Sequence, residues 1–367
     1  MMHEAGVYIH IPFCATKCSY CDFLSFSGME QIYDSYVDVL LSEIRSANII
    51  SVSTVYIGGG TPTVLPVNLM QNVLACISDL PLVNDAEITI EVNPGTVNLD
   101  YLQLIKSAGI NRISFGLQST CNNLLASIGR IHSYELFLEN YLSAQDVGFD
   151  NINVDLIFGL PGQTTVTFEQ TLSMILDLEP QHVSFYSLTL CENTPLWNDI
   201  CLGKISLPDD EVDRSMYHFA SKFFGKNGYV HYEISNAAKP GFECSHNLDC
   251  WRHKPYIGFG LGAHSFDGQK RWSNPSTFAD YFSFKEPKFE LLSDDQLISE
   301  SMILGLRLLD GVDESLFESR YRVRPSVFFD GQISKLVSDG LLELSNNRVR
   351  LTSLGLDLAN QVFMQFL

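Results

Sequence analysis

Short apolar runs alternate with amphipathic stretches along the first half of the chain. Six runs are rich in β-branched and aromatic residues: Val7–Ile11, Thr54–Ile57, Glu87–Val92, Arg112–Phe115, Asn151–Phe158 and His182–Leu188. Helical periodicity fills the intervals, over Gln31–Ala47, Asn68–Ile77, Leu99–Ala108, Tyr134–Val147 and Thr165–Leu178. Strands that alternate with helices predict βαβ units and a parallel sheet, with functional side chains at the carboxyl ends of the strands. Six such units fit either a partial (β/α)6 barrel or an open doubly wound sheet.

The pattern changes beyond residue 200. Asp209–Asn227 predicts one amphipathic helix, whereas residues 228–272 are rich in Gly, His and aromatic residues and predict loops and short strands over a site. Farther on, the periodicity predicts helices over Leu297–Leu308, Val327–Val337 and Leu354–Phe363, with a hairpin turn at Asn346-Asn347. We therefore expect an α/β core over residues 1–200, a loop-rich extension over residues 201–285 and a small winged-helix-like domain over residues 286–367.

Charge and composition exclude several classes of function. The chain has 367 residues and a formal net charge of −20, from 23 basic and 43 acidic side chains. A field of that sign disfavours binding to nucleic acids and to anionic membranes. No apolar run approaches the ~18 residues of a transmembrane helix, so we expect no integral membrane segment and any membrane contact would be peripheral. Nine cysteines without a recognisable export signal indicate a reducing compartment, and we expect a cytoplasmic protein.

Three cysteines form the strongest chemical motif of the chain. Cys14, Cys18 and Cys21 have C-x3-C-x2-C spacing directly after the predicted strand Val7–Ile11. Three thiolates on one tight loop can hold three irons of a [4Fe–4S] cluster and leave the fourth iron open, as a catalytic cluster requires. The alternatives are a structural zinc site, which more often takes two cysteine pairs, or three unrelated buried cysteines.

Further motifs follow the predicted strands in a characteristic order: YIHIPFC, IGGGTPT, EVNPGT, RISFGLQS, GRIH, NVDLIFGLPGQT, YEISN and HNLDCW. Together they resemble the radical S-adenosylmethionine (SAM) superfamily and, within it, the HemW-type haem chaperones, relatives of oxygen-independent coproporphyrinogen III oxidase. The resemblance covers residues 8 to about 264 and includes SMILGLRLLDGV farther on. It implies a partial radical-SAM-type barrel with a [4Fe–4S] cluster and SAM, an electron donor, and a protein that binds haem and delivers it to haem-requiring respiratory proteins.

The same resemblance implies a set of SAM-binding residues at the strand ends. They are Tyr8, Tyr20, Gly59, Gly60, Thr61, Glu91, Gln118, Arg130 and Asp155. Exposed N–H groups of the glycine turn would bind polar atoms of the methionine moiety. From the residues alone, the glycines also fit an ordinary strand-to-helix turn, Asp155 fits a structural carboxylate that bonds to backbone, and Tyr8 fits an aromatic residue of the barrel core.

The segment HNLDCW carries the haem prediction. It resembles the HNxxYW motif that is tied to haem binding in the chaperones, with Cys250 in place of the tyrosine. Imidazole and thiolate are both axial haem ligands, so we predict His246 as the first candidate and Cys250 as its competitor. The remaining cysteines without ligand spacing, Cys76, Cys121, Cys191 and Cys201, are predicted to be packing residues.

Two departures separate the chain from the oxidase branch. Phe23 stands where the oxidases have a further cysteine, and only seven residues precede Tyr8, whereas the oxidases carry a substantial N-terminal extension. We therefore expect no coproporphyrinogen III oxidase activity. Oxidative decarboxylation of a porphyrinogen by a radical SAM enzyme is the alternative function, and a cluster-bearing scaffold without turnover is a third.

Overall fold

The computed structural model describes residues 4–367, and its core is one sheet built from the six predicted strands. These are β1 (Ala5–Ile11), β2 (Val52–Gly59), β3 (Leu82–Val92), β4 (Arg112–Gln118), β5 (Ile152–Phe158) and β6 (His182–Ser187). Each strand pairs in parallel with the next one along the chain. Most positions of these strands are buried, which explains their many apolar residues, and β4 is buried at all seven positions. Residues Val83–Asp85 of β3 are exposed.

Six helices cover this parallel sheet, and five of them lie at the positions that the periodicity predicts. They are α1 (Tyr33–Ser46), α2 (Val67–Ser78), α3 (Leu99–Ser107), α4 (Asn122–Ser127), α5 (Tyr134–Asp146) and α6 (Thr165–Leu176). The side chains of Asn98, Ser133 and Thr164 cap α3, α5 and α6 by accepting a backbone N–H of the first turn. The short helix α4 escapes the pattern analysis because its six residues are too few to show a period.

The sheet continues past both edges of the parallel core. The further elements are α7 (Pro195–Cys201), α8 (Asp210–Lys226), β7 (Val230–Glu233), β8 (Asn236–Ala238), α9 (Ser245–Trp251), β9 (Tyr256–Phe259), β10 (His264–Phe266), β11 (Lys270–Ser273), α10 (Phe278–Phe282) and β12 (Lys288–Leu291). Strand β9 pairs in parallel with β1, and β8 pairs antiparallel with β6. The twelve strands therefore run in the order β12-β11-β10-β9-β1-β2-β3-β4-β5-β6-β8-β7.

Helix α9 corrects one expectation for the stretch between residues 228 and 272. The sequence predicts loops over a site here, but Ser245–Trp251 is helical. The Glu87 carboxylate accepts the backbone N–H groups of Ser245 at 2.9 Å and His246 at 3.0 Å, and so caps the helix. Glu87 pairs in register with Thr54, well before the carboxyl ends of β3 and β2. Helix α9 thus packs toward the amino ends of the strands, opposite the end from which the cysteine motif follows β1.

The C-terminal segment, residues 294–367, packs around a separate hydrophobic cluster. Its elements are α11 (Asp294–Gly305), β13 (Val312–Asp313), α12 (Glu314–Tyr321), α13 (Pro325–Phe328), α14 (Asp330–Ser338), β14 (Leu342–Ser345), β15 (Arg348–Leu351), α15 (Ser353–Asp357) and α16 (Ala359–Phe363). The three strands form an antiparallel sheet, and the predicted hairpin turns through Asn346 and Asn347, both with positive φ. Two predicted helices are each divided, at Phe329 and Leu358, where the backbone leaves the helical region.

The longest helix among residues 4–367 is α8, with 17 residues. Its first turn carries Asp210, Glu211 and Asp213, whereas a bilayer requires about 20 predominantly apolar residues. No helix of the described chain is long and apolar enough to cross a membrane.

Candidate functional site

One cavity of about 500 Å³ collects most of the predicted site. It is lined by the three cysteines of the motif and by eight of the nine predicted SAM contacts: Tyr20, Gly59, Gly60, Thr61, Glu91, Gln118, Arg130 and Asp155. The cavity lies where the parallel strands end, because Gly59, Glu91 and Gln118 are at or next to the last residues of β2, β3 and β4. Tyr8 is the exception and lines a neighbouring cavity. Their predicted roles stay predictions, since shared lining does not show binding.

The cysteine loop, residues 12–26, is fixed at its base. The N–H of Cys14 donates to the carbonyl of Phe26 at 2.9 Å, and the N–H of Phe26 donates to the carbonyl of Pro12 at 2.8 Å. Across the loop, Lys17 Nζ donates to the carbonyl of Phe23 at 2.9 Å. These bonds hold the loop shape without any ligand, so that the chain itself presents the cysteines to the cavity.

The three thiols of the cysteine loop face the cavity at different depths. Cys14 is 8% exposed, whereas Cys18 and Cys21 are half-buried. Within residues 4–367, no three His, Cys, Asp or Glu side chains gather around a point that could hold one metal ion. The cluster on Cys14, Cys18 and Cys21 stays a prediction from their spacing.

Gly58, near the end of β2, and Gly60, in the turn after it, allow close approaches that a side chain would block. A Cβ atom on Gly58 would lie 2.9 Å from Oε2 of Glu91, and one on Gly60 would lie 2.5 Å from the carbonyl oxygen of Phe13. Real Cβ contacts are longer, so an alanine at either position would displace the carboxylate or the cysteine loop. The glycine motif thus packs the strand end tightly against its neighbours.

The amide hydrogens of this turn are used within the protein. The N–H groups of Gly59, Gly60 and Thr61 donate to Glu91 Oε2 at 3.2 Å, to the carbonyl of Ile11 at 2.8 Å and to the carbonyl of Phe13 at 2.7 Å. The expectation that these N–H groups are exposed is therefore wrong, and a contact of the turn with the methionine moiety stays a prediction. What the turn can still offer a ligand is carbonyl oxygen, together with the Thr61 hydroxyl, which lies 3.6 Å from Cys14 Sγ.

Glu91 has the most perturbed carboxyl group of the cavity lining. Desolvation, followed by the nearby Asp155 carboxylate, raises its pKa from 4.5 to about 7. Hydrogen bonds from the Tyr56 hydroxyl at 2.9 Å and from the Gly59 N–H at 3.2 Å oppose this rise. Near neutral pH the group is thus divided between acid and carboxylate, and a bound cation would favour the carboxylate.

Asp155 is tied to its own sheet. Its Oδ2 accepts the hydroxyl of Ser114 at 3.0 Å, and its Oδ1 accepts the side-chain amide of Asn153 at 2.8 Å. Both partners are side chains, whereas the alternative of a structural carboxylate predicted a bond to the backbone. The carboxylate is held rigidly and still lines the cavity.

Arg130 and Gln118 carry polar atoms that the protein leaves unpaired. Arg130 donates through Nη1 to Asn93 Oδ1 at 2.7 Å and through Nη2 to the Tyr20 hydroxyl at 3.1 Å, but its buried Nε has no partner. Gln118 is 6% exposed, has φ of +72°, and its buried Oε1 also has no partner. Leaving such an atom unpaired costs about 1–3 kcal/mol, so these two atoms fit a polar ligand in the cavity.

Asn93 and Cys191 are two of the lining residues that the sequence-based set lacks. Asn93 connects Arg130 to the glycine turn, since its Nδ2 donates to Thr61 Oγ1 at 2.6 Å. The sequence indicates only a turn at Asn93-Pro94-Gly95. The second is Cys191, which lines the cavity although the sequence predicts a packing residue. No spacing pattern relates it to the three other cysteines, so only the fold reveals its position.

A second cavity, of about 320 Å³, adjoins the first and shares Tyr56, Glu91 and Tyr186 with it. Tyr8 lines it, and its hydroxyl lies 3.0 Å from His10 Nδ1. His10 Nε2 lies 2.9 Å from the carbonyl oxygen of Leu24 and must donate, so Nδ1 accepts the Tyr8 proton. Four buried polar atoms of its lining residues lack a hydrogen-bond partner: Glu233 Oε2, Asn236 Oδ1, Trp251 Nε1 and Arg307 Nε. Glu233 Oε2 forms an ion pair with Arg307 Nη2 at 3.9 Å.

His246 lines this second cavity, and Cys250 lines neither. His246 Nδ1 lies 2.9 Å from Thr54 Oγ1, and its ring stacks on Tyr56 with centroids 5.3 Å apart. Within the described chain, Nε2 has no hydrogen-bond partner. Burial lowers the pKa of His246 to about 4 and raises the pKa of the Cys250 thiol to about 12. At neutral pH the imidazole is neutral and the thiol is protonated.

A three-cysteine loop at the carboxyl edge of a parallel α/β sheet, above a cavity with unpaired polar atoms, defines the class of radical SAM proteins. The family model of the Radical SAM superfamily matches residues 8–175, and that of the HemN C-terminal domain matches residues 292–358. The proteins named heme chaperone HemW from Lactococcus lactis and Bacillus subtilis are each 36% identical, over 99% of this chain and 97% and 99% of their own. The chain belongs to this HemW family.

The fold has a close counterpart among solved structures. The coproporphyrinogen III oxidase HemN from Escherichia coli, described as a radical SAM enzyme, superposes with a TM-score of 0.85 at 25% identity. The match covers 100% of this chain and 90% of the oxidase chain. The predicted α/β architecture with its small C-terminal sheet is therefore confirmed.

Proposed function

We propose that this protein binds haem and delivers it to haem-requiring respiratory proteins, on a core that carries a [4Fe–4S] cluster and SAM. The observation that supports the core best is the convergence of three thiols and the unpaired atoms of Arg130 and Gln118 on one cavity. The haem part follows the names of the HemW relatives. An electron donor must complete the system, and the chain is expected to work inside the cytoplasm.

Cys14, Cys18 and Cys21 would hold the cluster, which when bound supplies an electron to the sulfonium of SAM. The residues around it bind and orient SAM. Arg130 Nε and Gln118 Oε1 each gain the partner that they lack in the protein alone. Glu91 places a carboxylate near a cationic ligand, and Asp155, fixed by Ser114 and Asn153, presents a second one.

His246 is the better candidate for the axial haem ligand. Its Nε2 is free and belongs to a residue that lines the second cavity, whereas Cys250 lines neither cavity. If Nε2 ligates iron, Nδ1 carries the proton and donates to Thr54 Oγ1, which fixes the ring as second-sphere partners of metal-bound histidines do. The unpaired atoms around this cavity support a ligand there.

Offering haem and coproporphyrinogen III separately to the anaerobically reconstituted protein tests this function. We expect a Soret band that saturates with haem, transfer of that haem to an apo-respiratory protein, and no decarboxylated product. Multiple turnovers of coproporphyrinogen without haem binding would favour the alternative, a porphyrinogen decarboxylase, for which the similarity to HemN is the supporting observation. A protein that binds neither would contradict both functions.

A further inference from the structure

A fourth cysteine lies at the cavity of the cysteine loop. Among the residues that the structure describes, Cys191 is the one cysteine outside the loop that lines this cavity. It is half-buried in the connection between β6 and α7. The other cysteines without ligand spacing lie elsewhere, and Cys201, ten residues farther along in α7, is exposed.

The turn that carries Cys191 is attached directly to the cysteine loop. The N–H of Leu196, in the first turn of α7, donates to the carbonyl of Ser19 at 2.9 Å. The Thr194 hydroxyl donates to the carbonyl of Cys191 at 2.7 Å and closes the turn. The Cys191 thiol itself lies 4.0 Å from the carbonyl oxygen of Thr189. The backbone bond from Leu196 therefore brings the turn of Cys191 to the cysteine loop.

An independent observation indicates that this cavity receives a ligand. Gln118 lines the cavity and is only 6% exposed. Its buried Oε1 has no hydrogen-bond partner. Arg130 Nε on the same lining is unpaired as well. Cys191 thus faces a space whose other polar groups also lack partners, and thiolate is a strong ligand for cluster iron.

We propose that Cys191 is an exchangeable fourth ligand of the cluster, bound to the iron that the cysteine loop leaves open and displaced from it by SAM. The proposal rests on the proposed cluster. Ligation forms one iron–sulfur bond and releases the thiol proton, and displacement by SAM breaks that bond and returns a proton to the thiolate. No atom changes its oxidation state. Without SAM, Cys191 would shield the open iron from solvent and oxidants.

Alkylation of the wild-type protein provides a first test. Reconstituted protein is treated anaerobically with iodoacetamide, with and without SAM, and cleaved after glutamate, because Glu192 separates Cys191 from Cys201 in the products. We expect Cys191 to be protected without SAM and to react once SAM is present, while the exposed Cys201 reacts in both samples. Equal alkylation of Cys191 with and without SAM would overturn the proposal.

Mössbauer spectra of ⁵⁷Fe-reconstituted protein test the ligand itself, with Cys201→Ser as the matched control for Cys191→Ser. Without SAM, the wild type and C201S should show four thiolate-bound irons, and C191S should show one iron that differs. SAM should make all three spectra alike and should bind C191S severalfold more tightly, since it no longer displaces a thiolate. A wild-type spectrum that already matches C191S without SAM refutes this role. A wild type that assembles no cluster refutes the proposed function instead.

Discussion

Proton-linked SAM binding through Glu91 follows from the raised pKa of this carboxyl group. With a pKa of about 7, Glu91 is about 9% ionised at pH 6 and about 91% ionised at pH 8. At low pH, a cationic ligand that binds the ionised carboxylate must therefore displace the proton from Glu91. The affinity for SAM should therefore rise about tenfold, or ~1.4 kcal/mol, from pH 6 to pH 8.

Calorimetric titrations of the reconstituted protein at pH 6, 7 and 8 measure this change. Glu91→Gln keeps the size and the bond from Tyr56 but cannot ionise, so its affinity should vary much less with pH. S-adenosylhomocysteine, which lacks the positive sulfonium, should also show a weaker dependence. The amino group, which titrates at ~8, is present in both SAM and S-adenosylhomocysteine. Its effect on the pH dependence therefore cancels when the two ligands are compared. Equal affinity at pH 6 and pH 8 in the wild type, or the same slope in E91Q, would refute this reasoning.

The same pKa shift predicts a change in folding stability that needs no ligand. Because folding raises the pKa of Glu91 from 4.5 to about 7, its protonated form is preferred in the folded state. The wild type should lose up to about 3 kcal/mol of unfolding free energy, relative to E91Q, as the pH rises from below 4.5 to above 7. Denaturant unfolding of both proteins at pH 5 and pH 8 measures this difference, and an unchanged gap would argue against the shift.

Further predictions concern the cluster, the cofactor contacts, the glycine turn and haem. Replacing Cys14 by Ala should abolish the cluster absorbance near ~400 nm after reconstitution, and an unchanged iron content would contradict the assignment. Arg130→Ala should weaken SAM binding by about 10- to 150-fold in calorimetry, because the charge-assisted bond from Nε is lost. An unchanged affinity would place SAM elsewhere. Gly58→Ala should displace Glu91 and lower the melting temperature as well as SAM affinity, whereas Gly331→Ala, where a Cβ meets no atom within 4 Å and φ is not positive, should leave both unchanged. His246→Ala should shift the Soret band and weaken haem binding. If only Cys250→Ala has these effects, the Cys250 thiolate is the haem ligand instead.

The elements that surround the first cavity could be predicted because their signals are local. Most residues of the parallel strands are buried, so apolar residues dominate them, as in Ile152–Phe158. Polar residues interrupt these runs, as Asp155 does in the middle of β5. A parallel sheet brings its carboxyl ends together, and for this reason residues far apart in sequence were expected in one site.

Helix α9 could not be predicted, because tertiary contacts stabilise it. SHNLDCW is a single short helix of seven residues without an apolar stripe. Its N–H groups are capped by Glu87, which lies 158 residues away from Ser245 in the chain. The position of Cys191 escapes sequence analysis for the same reason, since a bond between Leu196 and Ser19 brings its turn to the cysteine loop.

The placement of α9 changes how the haem prediction relates to the cofactor site. His246 and the cysteine loop belong to opposite ends of the strands, but the two cavities meet at Tyr56, Glu91 and Tyr186. Tyr56 donates to Glu91 at 2.9 Å and stacks on the His246 ring, so one tyrosine contacts a predicted residue of each site. A ligand that moves the His246 ring must then alter the surroundings of the Glu91 carboxyl group. Because binding free energies are reciprocal, any effect of haem on SAM affinity through this contact equals the effect of SAM on haem affinity.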